Sequence, residues 1–224
     1  MSYKLDWAPI WSNRDLIVDG FITTVELSAA GLLLALAIGF VVGTAGAARS
    51  CALRACAAAY VELMRNVPLL VHMYFWYMGL AFLKLPPFAC AVAALALYSG
   101  AYVAEVVRSG IGAVPQGQRL AGLATGLTPM RAFLLVIYPQ ALRIVMPSLA
   151  GVISQLIKDS SLASVITVAE LTYEASTIEG QTFRTFEVYI VISLLYLLLV
   201  SIVTYGLLLV PSSREEALQV VSDA

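Results

Sequence analysis

The chain of 224 residues is 61% hydrophobic and only 12% charged, with a mean hydropathy of +0.89. A water-soluble domain carries about 25% charged residues, so the composition excludes an aqueous globule and makes lipid the expected solvent. A formal net charge of -1 leaves no basic field for nucleic acid.

Residues 1–19 hold Lys4, Asp6, Arg14, Asp15 and Asp19 and no apolar core. A cleaved signal peptide is therefore not expected, and the segment reads as a polar amino tail. Uncharged runs then mark the membrane spans, since a charge at the centre of a helix in lipid costs about 2.5–3.5 kcal/mol on insertion scales. Residues 27–48 form the first run, 66–83 the second and 85–104 the third. Residues 144–157 and 160–169 make a fourth, interrupted by Lys158 and Asp159, and 188–213 a fifth. Each is near the roughly 20 residues that a spanning helix needs. The predicted fold is an all-α integral membrane bundle of about five helices, and no repeat or low-complexity tract divides residues 1–224 into more than one domain.

In the first span Gly31, Ala35, Gly39 and Gly43 recur every four residues. Such a small-residue ridge lets another helix approach closely, and packing inside the chain is expected ahead of a dimer seam. Between the first and second spans, and again between the third and fourth, lie Arg49, Arg54, Arg108, Arg119, Arg131 and Arg143. The stretches 49–54 and 108–143 contain no carboxylate. The positive-inside rule assigns both to the cytoplasm, which puts the amino terminus outside and the 211–224 tail inside. On the outer side fall the turn 84–87 and the segment 170–187, where Glu170, Glu174, Glu179 and Glu187 face Arg184 alone.

The cytoplasmic loop at 110–143 is too long to be a plain connector, and it is patterned. Pro115 can open a short helix that Gly126 ends in a left-handed cap. Thr128-Pro129 reads as an N-cap with proline at the first helical position of a second short helix, which Pro139 should stop. The result is a helix–Gly–helix wedge on the cytoplasmic face, with Arg119 and Arg131 at its surface.

The run GQRLAGLATGLTPMRAFLLVIYPQALRIVMPSL resembles the EAA loop of bacterial ATP-binding-cassette import permeases. Ala121, Gly126 and Pro139 stand at pattern positions and Val136 replaces the isoleucine. Leu120 stands at the glutamate, Gly122 at the second alanine and Tyr138 at the leucine. The stretches GFITTVELSAAG, YVELMRNVPLLVHMYFWYMGL, SGAYVAEVVRSGI and KDSSLASVITVAEL are similar to the subfamily that imports polar amino acids (histidine, arginine, glutamate, glutamine) and related opines. The resemblance covers residues 18 to 210 or so.

It implies two permease chains, identical or paralogous, in the inner membrane. Two cytoplasmic ATPase subunits and a periplasmic solute-binding protein would complete the importer. The loop would seat in a groove of each ATPase through Arg119, Leu120, Ala121, Gly126, Arg131 and Pro139, and rock the helices between inward- and outward-facing states. Leu120 cannot supply the charged contact of the family glutamate, so docking is expected to lean on apolar contact plus the two arginines. No GxxxxGK[ST] occurs in the chain; ATP and Mg are expected on the partner, with no cofactor on this chain and no enzymatic activity of its own.

A zwitterionic substrate needs a carboxylate for its ammonium group and a donor or cation for its carboxylate, and ionisable residues inside a membrane are the default candidates. Asp159 is the candidate for the ammonium group, with Lys158, Ser160 and Ser161 beside it. The plainer reading places Lys158 and Asp159 near an interface or in a pair with another helix. Glu62 with Arg65, and Glu105 with Arg108, have the spacing of intrahelical ion pairs. Glu26 reads as an orienting residue, and His72, among Tyr74, Phe75, Trp76 and Tyr77, as a packed residue rather than a pH switch. The aromatics near Lys84 suggest an interfacial belt. Cys51, Cys56 and Cys90 with one histidine offer no metal site.

A gradient-driven secondary transporter is the alternative, but such folds show related halves that this sequence lacks. An intramembrane enzyme would need a nucleophile–base or ligand motif, and neither GxSxG nor HExxH is present.

Overall fold

The structure is a computed structural model that describes residues 4–208; the 211–224 tail and the last part of the fifth predicted span lie outside the described residues. Every regular element in it is helical. Helix α1 spans Ala8–Ser12, α2 Arg14–Gly46, α3 Cys51–Asn66, α4 Leu69–Tyr74 and α5 Pro87–Ala113. They are followed by α6 Gln116–Ala124, α7 Pro129–Ala132, α8 Tyr138–Asp159, α9 Leu171–Thr182 and α10 Thr185–Leu208. Among the described residues four helices are long and apolar enough to cross a membrane: Arg14–Gly46, Pro87–Ala113, Pro129–Ile166 and Thr185–Leu207.

The second predicted span, 66–83, is a broken helix. Pro68 has no N–H and disfavours helical geometry at Val67, so α3 stops at Asn66 and the chain restarts at Leu69. It then loosens into a π turn at Phe75–Gly79 and a 3-10 turn at Ala81–Leu83. The first span is longer than its uncharged run, because α2 begins at Arg14 and carries its charges on its first turns.

The described helices fall into two compact units, one made of residues 4–34, Val67–Ala96 and Ser154–Val203 and the other of Ala35–Asn66, Leu97–Ile153 and residues 204–208. In the first, Ile17 of α2 packs with Leu171, Ala175 and Ile178 of α9 and with Val188 and Ile192 of α10. In the second, Val103 and Val107 of α5 pack with Val145 and Leu149 of α8.

The small-residue ridge works inside the chain. A Cβ on Gly39 would collide with the Val103 side chain, and one on Gly43 would lie 2.5 Å from the Ala104 carbonyl oxygen. Here glycine is what lets α2 and α5 touch along their backbones.

Candidate functional site

The wedge is built as its turn residues dictate. Pro115, extended at ψ 138, precedes α6, and Gly126 closes it with φ +85. The Thr128 hydroxyl accepts the Arg131 N–H at 3.4 Å, with Pro129 at the head of α7. Left-handed geometry at position 126 is where a Cβ is costly, and the space beside Gly126 is open.

Pro139 does not stop the second helix. The chain runs without a break from Pro129 to Ile166, so the second arm of the wedge is the beginning of a spanning helix. A π turn over Phe133–Ile137 absorbs the proline: the Tyr138 N–H reaches back five residues to the Phe133 carbonyl, and the Gln140 side chain donates to the Val136 carbonyl at 2.7 Å. A π turn widens the helix by one residue and frees backbone groups that a proline cannot pair.

Leu120, Ala121, Gly126, Arg131 and Pro139 are exposed, and Arg119 is half-buried. Met130, Leu134 and Leu135 are also more than half exposed, so the wedge presents an apolar surface edged by arginine. Gly122 is buried against Ala132 and Val136, and a Cβ added there would lie 3.4 Å from the Ala132 Cβ. That contact fixes the angle between the arms.

The second candidate group lies where α8 gives way to a 3-10 turn over Ser160–Ile166. Asp159 is half-buried, and the Gln155 side-chain amide donates to its Oδ1 at 2.8 Å. Lys158 is exposed. Ser160 is fully buried and its hydroxyl donates to the Ile157 carbonyl at 2.7 Å; that of Ser161 donates to the Lys158 carbonyl at 2.8 Å. Both hydroxyl protons therefore belong to the helix end.

The acidic segment 170–187 carries three of its four glutamates inside the fold. Glu170 and Glu187 are wholly buried and Glu174 nearly so. Glu170 caps α9 by accepting the Tyr173 N–H at 2.9 Å, and its other oxygen accepts the Tyr196 hydroxyl at 2.6 Å and faces the Thr24 hydroxyl at 3.5 Å. Thr24 in turn accepts the Leu171 N–H at 3.1 Å. Burial pushes the Glu170 carboxyl above the ordinary carboxylate range, against the hydrogen bonds that favour its charged form. Glu187 accepts the Asp6 N–H at 2.9 Å and pairs with Arg184 at 3.5 Å. Gln155 and the Glu170 cluster are not apparent from the sequence, whose only available signal is a glutamate immediately before the first turn of a helix.

Of the two spaced charge pairs, Glu105 and Arg108 form a two-bonded ion pair at 2.6 and 3.0 Å. Arg65 instead lies over the Tyr102 ring, 4.9 Å from its centre.

Residues 27–214 match the family described as "Binding-protein-dependent transport system inner membrane component". The chain belongs to that family. It is a multi-pass inner-membrane permease subunit of an ATP-binding-cassette importer, works with ATPase and solute-binding partners, and is not itself an enzyme. The permease is 37% identical to the probable glutamine ABC transporter permease protein GlnM of Bacillus subtilis, over 85% of this chain and 89% of that one. It is 34% identical to the glutamine transport system permease protein GlnP of Escherichia coli K12, over 90% and 94%. Among solved structures it matches a crystal structure of an amino acid ABC transporter with histidines at a TM-score of 0.84 and 32% identity, over 92% and 98% of the two chains. Membership in this family decides between the ATP-driven reading and the gradient-driven alternative.

Proposed function

We propose that this permease carries a polar amino acid, with glutamine the first to test, inward across the bacterial inner membrane by alternating access. The observation that carries the reading is the capped wedge of α6 and α7, standing where a mechanical contact with an ATPase is needed in a chain that resembles glutamine permeases over most of its length. The amino terminus faces the periplasm and the carboxyl terminus the cytoplasm, a reading supported by the carboxylate-free arginine stretches. Two permease chains, identical or paralogous, pair with two ATPase subunits that hold ATP and Mg, and a periplasmic binding protein delivers the substrate. The whole chain, with its outer amino tail 1–19, coupling loop 110–143 and cytoplasmic tail 211–224, serves as one permease domain.

Arg119, Leu120, Ala121, Gly126, Arg131 and Pro139 form the coupling set. Leu120 and Arg131 provide contact, Gly126 and Pro139 set the shape, and Arg119 approaches from the inner flank. Asp159 takes the substrate ammonium and Lys158 its carboxylate, while Ser160 and Ser161 shape the helix end that presents them.

Proteoliposomes holding the permease, its ATPase and its binding protein should take up labelled glutamine or a related polar amino acid only when ATP is enclosed with the ATPase. Uptake driven by a proton or sodium gradient without ATP would overturn the reading.

A further inference from the structure

A cavity of about 840 Å³ opens beside the wedge, and its wall has two chemistries. Arg49, Arg108 and Arg119 supply positive charge, and no carboxylate lines it. Ile111, Phe133 and Leu134 supply an apolar face. Arg108 is held by Glu105, which lies outside the cavity, so among the described residues Arg49 and Arg119 carry the charge that no carboxylate compensates. Gln116, at the start of α6, also lines it, and among the described residues no side chain caps that helix. The first N–H groups of a nine-residue helix therefore add to the positive field.

The position narrows the occupant. The wall is made by the last turn of α2 and the residues after it, the last turns of α5, and the residues from Pro129 that begin the third long apolar helix. The first uncharged run ends at Ala48, so with the loop in the cytoplasm the Thr44–Arg49 side of the wall lies at the inner edge of the hydrocarbon and the α6 side faces water. A small soluble anion would have no use for the apolar face, and a purely apolar chain would leave the arginines unsatisfied. We propose that this cavity is a binding site for an anionic phospholipid: the arginines hold the phosphate and the first acyl segment lies against Phe133 and Leu134. Guanidinium forks suit phosphate oxygens, and basic pockets between helices on the cytoplasmic side of membranes suit anionic headgroups. The inference rests on the reading that the loop lies at the cytoplasmic boundary of the membrane. A lipid here would prop the inner flank of the wedge, so that Arg119 serves coupling by holding α6 in place while Leu120 and Arg131 meet the ATPase.

The test purifies the permease with its ATPase from membranes containing phosphatidylglycerol and measures retained lipid by native mass spectrometry. The wild-type permease should keep phosphatidylglycerol, and excess glycerol 3-phosphate should leave it in place. The Arg49→Gln/Arg119→Gln double variant should keep at least tenfold less, and Arg131→Gln, outside the cavity, should match wild type. Gly112→Leu narrows the cavity from a wall position whose Cβ meets open space, so it should lower lipid retention with all three arginines intact. Equal retention in the double variant and in Gly112→Leu overturns the proposal. So does displacement by glycerol 3-phosphate, or loss of the ATPase from the double variant with its lipid retained, which would assign the arginines to a protein partner. A wild-type permease that never purifies with an ATPase would count against the coupling reading, while lipid retention is still read on the permease itself.

Discussion

The Tyr196 hydroxyl donates to Glu170 Oε2 at 2.6 Å, joining the middle of α10 to the carboxylate that caps α9. The same oxygen faces Thr24 of α2, so three helices share one buried polar centre. Removing one partner leaves buried groups without hydrogen bonds, which costs about 1–3 kcal/mol. Tyr196→Phe should lower the melting temperature of the purified permease, and Glu170→Ala should lower it further, because the cap of α9 goes as well. Thermal unfolding in detergent reads both.

Glu170 also gives stability a pH dependence. Burial raises its folded-state value above the 4.5 of an ordinary glutamate. The folded chain therefore binds the proton more tightly than the unfolded one. The stabilisation from this group is complete below about that ordinary value and is lost as pH rises through the raised one. Glu170→Gln, which stays neutral, should flatten that part of the melting temperature against pH; an unchanged slope would show that Glu170 does not produce it.

The α2–α5 contact predicts a steric effect. Gly43→Val places a branched side chain where even a Cβ lies 2.5 Å from the Ala104 carbonyl. Overpacking of this kind costs about 1–3 kcal/mol, so folded yield should fall sharply. Gly151→Ala, whose Cβ meets nothing within 4 Å, should leave yield unchanged.

How far the sequence reaches is visible in these residues. The turn chemistry at Pro115, Gly126 and Thr128-Pro129 is local, and the structure matches it position by position. The ridge of small residues announced a close helix contact, though only the structure names α5 as its partner. Pro139 misled because a π turn three-dimensionally absorbs what a proline locally forbids. The burial of Glu170 is not legible in the sequence, because the hydroxyls that meet it, those of Thr24 and Tyr196, come from distant helices. Such pairing over long separations leaves no trace in spacing.

Gly126 should separate shape from assembly. A β-branched residue at φ +85 costs about 1–2 kcal/mol in backbone strain, with no clash to add to it. Gly126→Val should therefore insert and bind its partners, but binding-protein-stimulated ATP hydrolysis should yield less uptake per ATP. Equal uptake per ATP would remove the hinge from the coupling set.

Asp159 is the sharpest substrate candidate, and Gln155 its support at 2.8 Å. Asp159→Asn keeps the shape and removes the charge, so uptake should fall by tenfold or more with complex assembly intact. Gln155→Leu should raise the substrate concentration needed for half-maximal uptake by a smaller factor. Normal transport by Asp159→Asn would end the substrate role of that carboxylate.

The contact between wedge and ATPase is tested most directly by cross-linking from position 120. In a permease freed of Cys51, Cys56 and Cys90, Leu120→Cys carrying a short photoactivatable group should form an adduct with the ATPase subunit, and its yield should change when ATP is bound. Labelling of lipid alone, with no ATPase adduct in a complex that still assembles, would contradict the coupling role of the wedge.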